Sequence, residues 1–406
     1  MSPTNISQPS FHESVDRIEP ARLQDLPQRI ADAVAELSRV SVRLADALHA
    51  QTAANLAGLV RIMNTYYSNL IEGHNTHPRD IERALAGDLV DDKQRRNLQL
   101  EAAAHVRVQA QIDGMAANGR LPEPASCEFL RWIHREFYRD APEDLLRIEG
   151  AGRTFIMTPG EWRTRPEQDV QVGRHIPPSS ERVPDFMRHF EVRYRFADMG
   201  SAGKIVAIAA AHHRFNYIHP FADGNGRVSR LMSHAMAHAA GVGAHGLWSI
   251  SRGLARGLQS RGDYKRMMDH ADSPRQGDLD GRGNLSERAL QDFVEWFLKV
   301  CLDQIAFMSG LFDITTLARR LQSYVERSED LKPETFRLLE EALLRGEFER
   351  GRASRITGLP PRTAQRVLTK AIKVGLLASD TPKGPVSLRF PNNAIERLFP
   401  LLYPES

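Results

Sequence analysis

The sequence predicts a mainly α-helical protein that contains one small β-hairpin and a separate C-terminal unit. Apolar residues recur at helical spacing along most of the 406 residues. Residues 150–176 differ, because glycine and proline there separate short runs that have the pattern of strands. The helical pattern restarts at residue 333, which predicts a second unit over residues 333–406.

The composition is that of an ordinary soluble protein, with 41% hydrophobic and 26% charged residues. Its 54 basic and 51 acidic residues give a formal net charge of +3, which does not indicate a nucleic-acid binder for the chain as a whole. Two cysteines, Cys127 and Cys301, form no disulfide framework and no zinc pattern. The sequence has no apolar run of ~18–20 residues and no signal-peptide pattern, so we expect a cytoplasmic protein without a membrane partner.

The N-terminal part begins with a polar segment and continues as helices. Residues 1–22 are polar and contain three prolines, which predicts an arm. Helical periodicity begins near Pro27, a residue type suited to the first turn of a helix, and continues through one or two long amphipathic helices. A further helical stretch covers residues 78–115. We therefore expect an N-terminal helical region over residues 23–115.

The central part, residues 116–310, is predicted to form a helical core. Helical spacing is clear at Cys127–Arg139 and again at Val183–Phe196. Between these helices lies the strand-like stretch, and we expect its hairpin near residues 168–176. A connecting helix over residues 311–332 leads to the C-terminal unit.

The candidate functional residues are concentrated in a loop between two alanine-rich helices, at the start of the second helix. A helix N-terminus has unpaired N–H groups and partial positive charge, which favour an anion. Gly224 and Gly226 let the backbone approach that anion, and Asn225 tolerates a left-handed conformation and brings an amide donor. Arg227 and Arg230 are three residues apart, so both can grip phosphate oxygens from one face of the helix.

Two more side chains of the loop suit chemistry on a phosphate ester. Asp223 offers the hard oxygen ligand that Mg²⁺ prefers beside phosphates. His219 can take a proton from a hydroxyl near neutral pH. Each feature alone is common, but their ordered combination is specific, and it predicts phosphate-ester chemistry on a nucleotide.

In full, His219–Arg230 reads His-Pro-Phe-Ala-Asp-Gly-Asn-Gly-Arg-Val-Ser-Arg. This stretch resembles the signature of the Fic family, His-Pro-Phe-x-x-Gly-Asn-Gly-Arg-x-x-Arg, at every defining position. The resemblance covers roughly residues 30–310 and implies a Fic helical core that transfers AMP from ATP to a protein hydroxyl. It implies that His219 is the general base and Asp223 the magnesium ligand, and that Arg230 faces the γ-phosphate. The other nucleotide-binding positions that it implies are Gly224, Asn225, Gly226 and Arg227.

A second motif lies nearer the N-terminus, where Ser68 and Glu72 are four residues apart and share a helix face. Gly73 suits the end of that helix, where a carboxylate opposes the helix dipole and needs a cationic partner. The sequence Ser-x-x-x-Glu-Gly resembles the inhibitory motif of those Fic proteins that carry it before the core. The resemblance implies that Glu72 pairs with Arg230 and blocks the γ-phosphate position, so that the enzyme is autoinhibited.

The resemblance also assigns two neighbouring features. The predicted hairpin near residues 168–176 resembles the flap, which lies beside the active site and could hold an incoming peptide by strand addition. Tyr264 matches the first position of a Tyr-Tyr pair that many Fic proteins have near the adenine. Lys265 stands at the second position, so the nucleotide preference is left open.

The C-terminal unit reads as two helices, a turn, a third helix and two strands that bracket a loop. This order resembles a winged helix-turn-helix. Residues 345–373 hold eight basic and two acidic side chains, a local charge of +6, which suits contact with DNA phosphates. Winged helices also serve as protein-contact modules, so both kinds of partner are left open. The side chains concerned are Arg362, Arg366, Thr369, Lys370 and Lys373.

Three functions are consistent with these patterns. The first is a protein adenylyltransferase that uses Mg-ATP and modifies a Ser, Thr or Tyr hydroxyl of a protein, its own included. The second is a Fic-fold enzyme of another phosphoester specificity, such as removal of AMP or transfer of another nucleotide. The third is a DNA-binding regulator that acts through the C-terminal unit. The apolar helix faces are compatible with a homodimer.

Overall fold

The computed structural model describes residues 13–150 and 153–403, and it is mainly helical. The α-helices are α1 (Gln28–Asp46), α2 (Ala50–Ile71), α3 (Pro78–Leu85), α4 (Lys93–Ala117), α5 (Cys127–Phe137), α6 (Glu143–Leu146), α7 (Val183–Arg193), α8 (Ser201–Ile218), α9 (Asn225–Ala239), α10 (Ser251–Arg256), α11 (Asp263–Ala271), α12 (Glu287–Leu311), α13 (Ile314–Glu326), α14 (Thr335–Arg345), α15 (Ala353–Thr357), α16 (Pro361–Lys373) and α17 (Asn392–Leu398). The strands are β1 (Arg147–Gly150), β2 (Arg153–Ile156), β3 (Glu347–Phe348), β4 (Leu377–Ala378) and β5 (Val386–Leu388). Within these ranges, no helix combines the length and the apolar character that crossing a membrane requires.

The predicted N-terminal arm lies partly outside the described residues, which do not include residues 1–12. The rest of that stretch packs against the core and does not project as an arm. Ile18 and Ala21 are fully buried, and the backbone carbonyl of Glu19 accepts a hydrogen bond from the N–H of Leu285 (2.9 Å). The polar composition of residues 1–22 does not predict this packing, which buries the apolar surface of these two side chains.

Helices α8 and α9 form the centre of the core and pack against each other. Most side chains of α8 are buried, and its alanines let neighbouring helices approach closely. Helix α12 packs against α8, α1 and α11, so α8 is enclosed on several sides. The loop that carries the candidate functional residues therefore starts and ends on two well-packed helices.

The regular β-hairpin lies earlier in the chain than the sequence predicts. Strands β1 and β2 pair antiparallel, with Arg147 opposite Ile156. Residues 168–176, the predicted flap, contain one isolated bridge in the described structure, between Val172 and His175. A short 3₁₀ turn precedes this stretch and two prolines follow it, and proline lacks the N–H donor that a longer ladder needs.

The C-terminal unit combines α14 to α17 with a three-stranded antiparallel sheet in the order β3–β5–β4. The predicted three helices and two strands are present in order, but the structure adds β3 between the first two helices and α17 after the last strand. The unit packs on the first turns of α2, where Thr52 Oγ1 donates to the carbonyl of Leu343 (3.1 Å). Asn55 Nδ2 donates to the carbonyl of Leu388 (2.9 Å). The N-terminal end of α2 is therefore attached to the C-terminal unit.

Candidate active site

The predicted loop connects α8 to α9. His219 ends α8, and its N–H donates to the carbonyl of Phe215 (2.9 Å). The backbone of His219 lies in the left-handed region, at φ 50° and ψ 60°, which residues other than glycine seldom adopt. The chain therefore leaves the helix at the predicted base itself, and the imidazole is half-buried.

Arg163 holds this loop from a distant part of the sequence. It is fully buried and lies 56 residues before His219. Its Nε donates to the carbonyl of His219 (2.7 Å), and its Nη2 donates to those of Ile218 (3.0 Å) and Pro178 (2.5 Å). Its Nη1 donates to Ser180 Oγ (3.0 Å). A buried guanidinium whose donors are used in this way fixes the backbone around the histidine.

The surroundings of His219 lower its pKa to about 4. Burial is the largest cause, because it disfavours the charged imidazolium, and the positive charge of Arg163 acts in the same direction. The carboxylate of Asp223 opposes them with a smaller effect. The imidazole is therefore neutral near neutral pH, and it can accept a proton.

Asn225 closes the loop on itself. Its Oδ1 accepts a hydrogen bond from the N–H of Phe221 (2.9 Å), and its Nδ2 donates to the carbonyl of Phe221 (2.8 Å). The amide that the sequence predicts to face an anion is instead engaged with the loop backbone. Gly224 precedes it at φ 80°, and a Cβ there would lie 2.9 Å from the ring of Tyr138. Both the backbone conformation and the available space therefore require glycine at this position.

The start of α9 lies next to a carboxylate of the protein itself. Helix α9 begins at Asn225, so the N–H groups of its first turn have no partner within the helix. A Cβ placed on Gly226 would come within 2.3 Å of Glu72 Oε1, which shows that this carboxylate lies against the first turn. Glu72 is the C-cap of α2, and Gly73 follows at φ 85°, where the sequence predicts the helix end. An anionic side chain thus occupies space that favours anions.

Arg230 joins α9 to the end of α2. Its Nε donates to Ser68 Oγ (2.9 Å), and its Nη2 donates to Glu72 Oε1 (2.6 Å). The Arg230 side chain is only 1% exposed, whereas that of Glu72 is 32% exposed, so solvent reaches the carboxylate end of the ion pair. Burial raises the pKa of Glu72, but the charges of Arg230 and Arg227 outweigh this effect and lower it. We term this group, Ser68, Glu72 and Arg230, the Glu72 clasp.

Arg227 is also paired with protein groups. Its Nη2 donates to Tyr138 Oη (2.8 Å) and to Asp223 Oδ2 (2.9 Å), and its Nη1 donates to Glu101. Tyr138 Oη in turn donates to Asp223 Oδ2 (3.0 Å). Burial raises the pKa of Asp223, but the charge of Arg227 leads the effects that lower it. Tyr138 and Glu101, from the end of α5 and from α4, belong to the site although no sequence pattern marks them.

Asp223 suits the predicted role of magnesium ligand. The hydrogen bonds from Tyr138 and Arg227 both go to its Oδ2, and its side chain is 46% exposed. Among the described residues, Asp223 belongs to no cluster of three histidine, cysteine or carboxylate ligands. A single carboxylate that is completed by phosphate oxygens and water is typical of Mg²⁺ bound with a nucleotide.

Three further hydrogen bonds join α2 to α4 along one face of α2. They link Arg61 Nη1 to Asp113 Oδ2 (2.9 Å), Asn64 Nδ2 to Gln109 Oε1 (2.6 Å), and Thr65 Oγ1 to His105 Nδ1 (2.9 Å). With Ser68 and Glu72, these residues of α2 recur every three or four positions, so they lie on one side of the helix. We term them the α2 stripe, which consists of Arg61, Asn64, Thr65, Ser68 and Glu72. The clasp is therefore the last part of a longer polar contact.

Tyr264, the predicted adenine-side residue, has a partner in the core. Its hydroxyl hydrogen-bonds with His212 Nε2 (2.8 Å), and His212 Nδ1 hydrogen-bonds with Ser233 Oγ (2.9 Å). Ser233 follows Arg230 by three positions on α9, so Tyr264 is indirectly connected to the clasp. Burial raises the pKa of Tyr264 to about 12. Lys265, beside it, is exposed.

Comparison with curated proteins finds related sequences over part of the chain. The chain is 37% identical over 101 residues to the protein adenylyltransferase Fic of Aedes aegypti, and 38% identical over 82 residues to that of Drosophila mojavensis. These matches cover 24% and 20% of this chain and only 20% and 16% of the two relatives. The chain therefore spans about a fifth or less of the length of the curated relatives it matches.

Solved structures show the fold, and a family model matches one domain of the chain. A Fic family protein from Desulfovibrio desulfuricans G20 has a TM-score of 0.54 at 17% identity, covering 90% of this chain and 98% of that chain. A fragment of Fic-1 from C. elegans has a TM-score of 0.50 at 14% identity, covering 70% and 73%. At these identities the likeness shows the fold alone. Residues 124–237, which include the whole loop from His219 to Arg230, match the model of the Fic/DOC family, and they form a Fic/DOC family domain.

Proposed function

We propose that this protein transfers AMP from ATP to a Ser, Thr or Tyr hydroxyl of a protein, itself included, and that the Glu72 clasp inhibits the transfer. One observation carries the proposal. A neutral imidazole, a carboxylate and a guanidinium, those of His219, Asp223 and Arg230, lie together on one loop and the first two turns of α9. The names of the curated relatives support the same reaction for the matched domain.

In this reaction His219 accepts the proton of the target hydroxyl. The hydroxyl oxygen forms a bond to the α-phosphorus of ATP, the bond from that phosphorus to the bridging oxygen breaks, and pyrophosphate leaves with the electron pair. The N–H groups at the start of α9, with Arg227 and Arg230, hold phosphate oxygens during the transfer. Mg²⁺, held by Asp223 and the phosphates, would neutralise part of the negative charge there.

The clasp inhibits through competition for the same groups. A guanidinium whose N–H groups hold a carboxylate cannot use them to hold a phosphate. Glu72 also brings negative charge to the start of α9, where it repels an anionic nucleotide. Gly226 has no side chain, so the same space can admit either Glu72 or a phosphate. We therefore expect ATP to bind in a productive position only when the clasp opens.

The test is transfer of label from α-labelled ATP to protein, with self-modification as the readout. Wild type, Glu72→Gly and Glu72→Gly/His219→Ala are compared. We expect Glu72→Gly to incorporate at least about tenfold more label than wild type, because a charge-assisted hydrogen bond is worth about 1.5–3 kcal/mol. The double variant should bind ATP and incorporate no label, since its base is missing.

The matched control is Glu329→Gly, which removes an exposed glutamate from a turn outside the clasp and should behave as wild type. Equal label in wild type and Glu72→Gly would refute the inhibition. Label in the double variant would refute the role of His219. The absence of label from every variant, with ATP still bound, would refute AMP transfer.

A different phosphoester specificity is favoured by one observation, the exposed charge of Lys265 where the family resemblance expects an aromatic residue. The same assay with α-labelled GTP, CTP and UTP on Glu72→Gly tests it. Faster transfer from GTP, CTP or UTP would identify that nucleotide, in place of ATP, as the substrate. Loss of label from protein that already carries AMP would instead identify the reverse reaction.

We propose a second function for the C-terminal unit, contact with DNA through residues 345–373. The order of its helices and strands resembles a winged helix-turn-helix. Four side chains spaced along one side of α16 are exposed, and three of them are basic. These four are Arg362, Arg366, Thr369 and Lys373. Lys370 contributes less, because it is paired with Asp330 (2.7 Å).

A further inference from the structure

A second cluster of ligand-type side chains lies on the later turns of α9, away from the loop. His234 and His238 are four residues apart, so both imidazoles project from one face of the helix. Asp113, near the end of α4, faces both of them. No group of this cluster takes part in the nucleotide chemistry proposed above.

The three atoms have the spacing of a metal coordination shell. Asp113 Oδ1 lies 2.7 Å from His234 Nε2 and 3.0 Å from His238 Nε2, and the two Nε2 atoms are 3.2 Å apart. In a tetrahedral site with bonds of about 2.0–2.1 Å, neighbouring ligand atoms lie about 3.3 Å apart. An ion therefore fits among these atoms after small outward shifts.

Hydrogen bonding alone accounts poorly for this arrangement. Both ring nitrogens converge on the same carboxylate oxygen and also on each other. If both Nε2 atoms carry hydrogens, those hydrogens crowd against one acceptor; if only one does, the lone pair of the other still faces the carboxylate oxygen; if neither does, three lone pairs face one another. A cation at the centre removes this conflict, because all three atoms can then act as electron-pair donors.

The surroundings have the form of a second coordination shell. Arg61 Nη1 donates to Asp113 Oδ2 (2.9 Å), which orients the carboxylate and leaves Oδ1 towards the histidines. Backbone also closes around the cluster: a Cβ on Gly243 would lie 2.6 Å from His238 Nδ1, and one on Gly246 would lie 3.3 Å from Asp113 Oδ1. Asp113 keeps 13% of its side chain exposed, which leaves a path for a small ion.

We propose that Asp113, His234 and His238 bind one divalent transition-metal ion of the zinc type, with water in the fourth position. Two imidazoles and one carboxylate suit zinc and its first-row neighbours, whereas Mg²⁺ prefers oxygen ligands. The ion joins α4 to α9 one turn beyond Arg230, and through Arg61 it also fixes α2. This site is separate from the magnesium position proposed at Asp223.

The experiment uses the full-length chain without a histidine tag, freed of metal by a chelator and checked for folding by circular dichroism. It is titrated with Co²⁺, whose tetrahedral complexes absorb visible light. We expect one Co²⁺ per chain, displaced by Zn²⁺ and not by Mg²⁺. His238→Ala and the nearly isosteric Asp113→Asn should each weaken binding by about a hundredfold or more, because each removes a direct ligand or its charge.

His245→Ala is the matched control, because His245 is an exposed histidine close to the cluster in sequence and outside it. This variant and Asp223→Ala should bind Co²⁺ as wild type does. Folded wild type that binds no Co²⁺ would overturn the proposal. Binding of wild-type strength in Asp113→Asn and in His238→Ala would overturn it as well, and Asp113→Asn alone decides if His238→Ala does not fold.

Discussion

Arg163 acts on the candidate base in two ways. Its hydrogen bond to the carbonyl of His219 (2.7 Å) stabilises a left-handed backbone conformation that residues other than glycine seldom adopt. Its charge adds to the burial that lowers the pKa of His219. Burial also lowers the pKa of Arg163, to about 10, so the guanidinium is still charged near neutral pH. One buried arginine therefore holds the backbone that carries the imidazole and, after burial, contributes most to keeping it neutral.

The low pKa of His219 predicts an unusual pH dependence. Because His219 is neutral above a pKa of about 4, the reactive form of the base should persist well below neutral pH. We expect kcat/KM of Glu72→Gly for ATP to stay nearly constant between about pH 8 and about pH 5 and to fall below that range. The measurement is the initial rate of AMP transfer at fixed ionic strength.

ATP binding measured over the same pH range is the control for this profile. A fall centred at about pH 6.5, the usual pKa of histidine, would contradict the lowered pKa. The side chains that act on the pKa of His219 are those of Arg163, His175 and Asp223. Of these, only Asp223 raises the pKa of His219, and its effect is smaller than the effects that lower it.

At the scale of single residues, the sequence reveals those residues of the site that are neighbours along the chain. His219 to Arg230 act within one continuous stretch, so their order alone predicts the chemistry. Arg163, Tyr138 and Glu101 reach the loop from other elements, and their own neighbourhoods contain no pattern that separates them from surface residues. Only the fold brings them to the loop.

At the scale of elements, the α2 stripe is the polar part of the contact that α2 makes with α4 and α9. Polar side chains recur every three or four positions along a helix whose other buried residues are mostly apolar. The recurrence is present in the sequence, but only Ser68 and Glu72 can be assigned from it, because only they belong to a known motif. The partners of Arg61, Asn64 and Thr65 on α4 become visible only when the two helices are seen together.

The stripe predicts a measurable contribution to stability. Gln109 is fully buried, and its Oε1 accepts a hydrogen bond from Asn64 (2.6 Å). Gln109→Ala leaves the amide of Asn64 buried without this partner, so we expect the free energy of unfolding to fall by about 1–3 kcal/mol. Urea unfolding followed by circular dichroism measures the change.

Gln94→Ala is the matched control, because Gln94 is exposed near the start of the same helix. It should change the free energy of unfolding by less than about 0.5 kcal/mol. Equal effects of the two substitutions would show that the Asn64–Gln109 contact contributes nothing specific.

The β-hairpin shows that the existence of an element is easier to predict than its exact position in the chain. Glycine and proline correctly indicate a stretch without α-helix, since the described part of residues 150–176 contains none. They do not fix the strand pairing, which depends on which N–H and carbonyl groups meet across the turn. The ladder formed by β1 and β2 begins at Arg147, before the glycine-rich part of the stretch.

At the scale of the whole molecule, the sequence predicts the mainly helical fold and most elements of the C-terminal unit, but not β3 or α17. It does not predict that this unit packs on α2, since the contact joins residues far apart in the chain. Thr52 and Asn55 make it by donating to backbone carbonyls, which any sequence can offer.

The exposed basic side of α16 predicts salt-dependent binding of DNA by the full chain. We expect a double-stranded oligonucleotide to bind, with a logarithmic dependence on salt that reflects the phosphates contacted. Arg362→Ala/Arg366→Ala should reduce the slope by about two, one for each lost contact. Fluorescence anisotropy at several salt concentrations measures it.

Arg319→Ala removes an exposed arginine from α13 and serves as the matched control. Its slope should equal that of wild type. The absence of binding even at about 0.05 M salt, where contacts with phosphates are strongest, would exclude DNA as the partner and favour a protein.

The 22 residues of α2 connect two distant parts of the protein, over about 33 Å. One end is attached to the C-terminal unit and the other carries Glu72. Thermodynamic linkage makes any coupling along this helix reciprocal. If a ligand of the C-terminal unit changes the affinity for nucleotide by some factor, nucleotide changes the affinity for that ligand by the same factor. Equilibrium titrations at the two ends of α2 therefore yield the same coupling free energy.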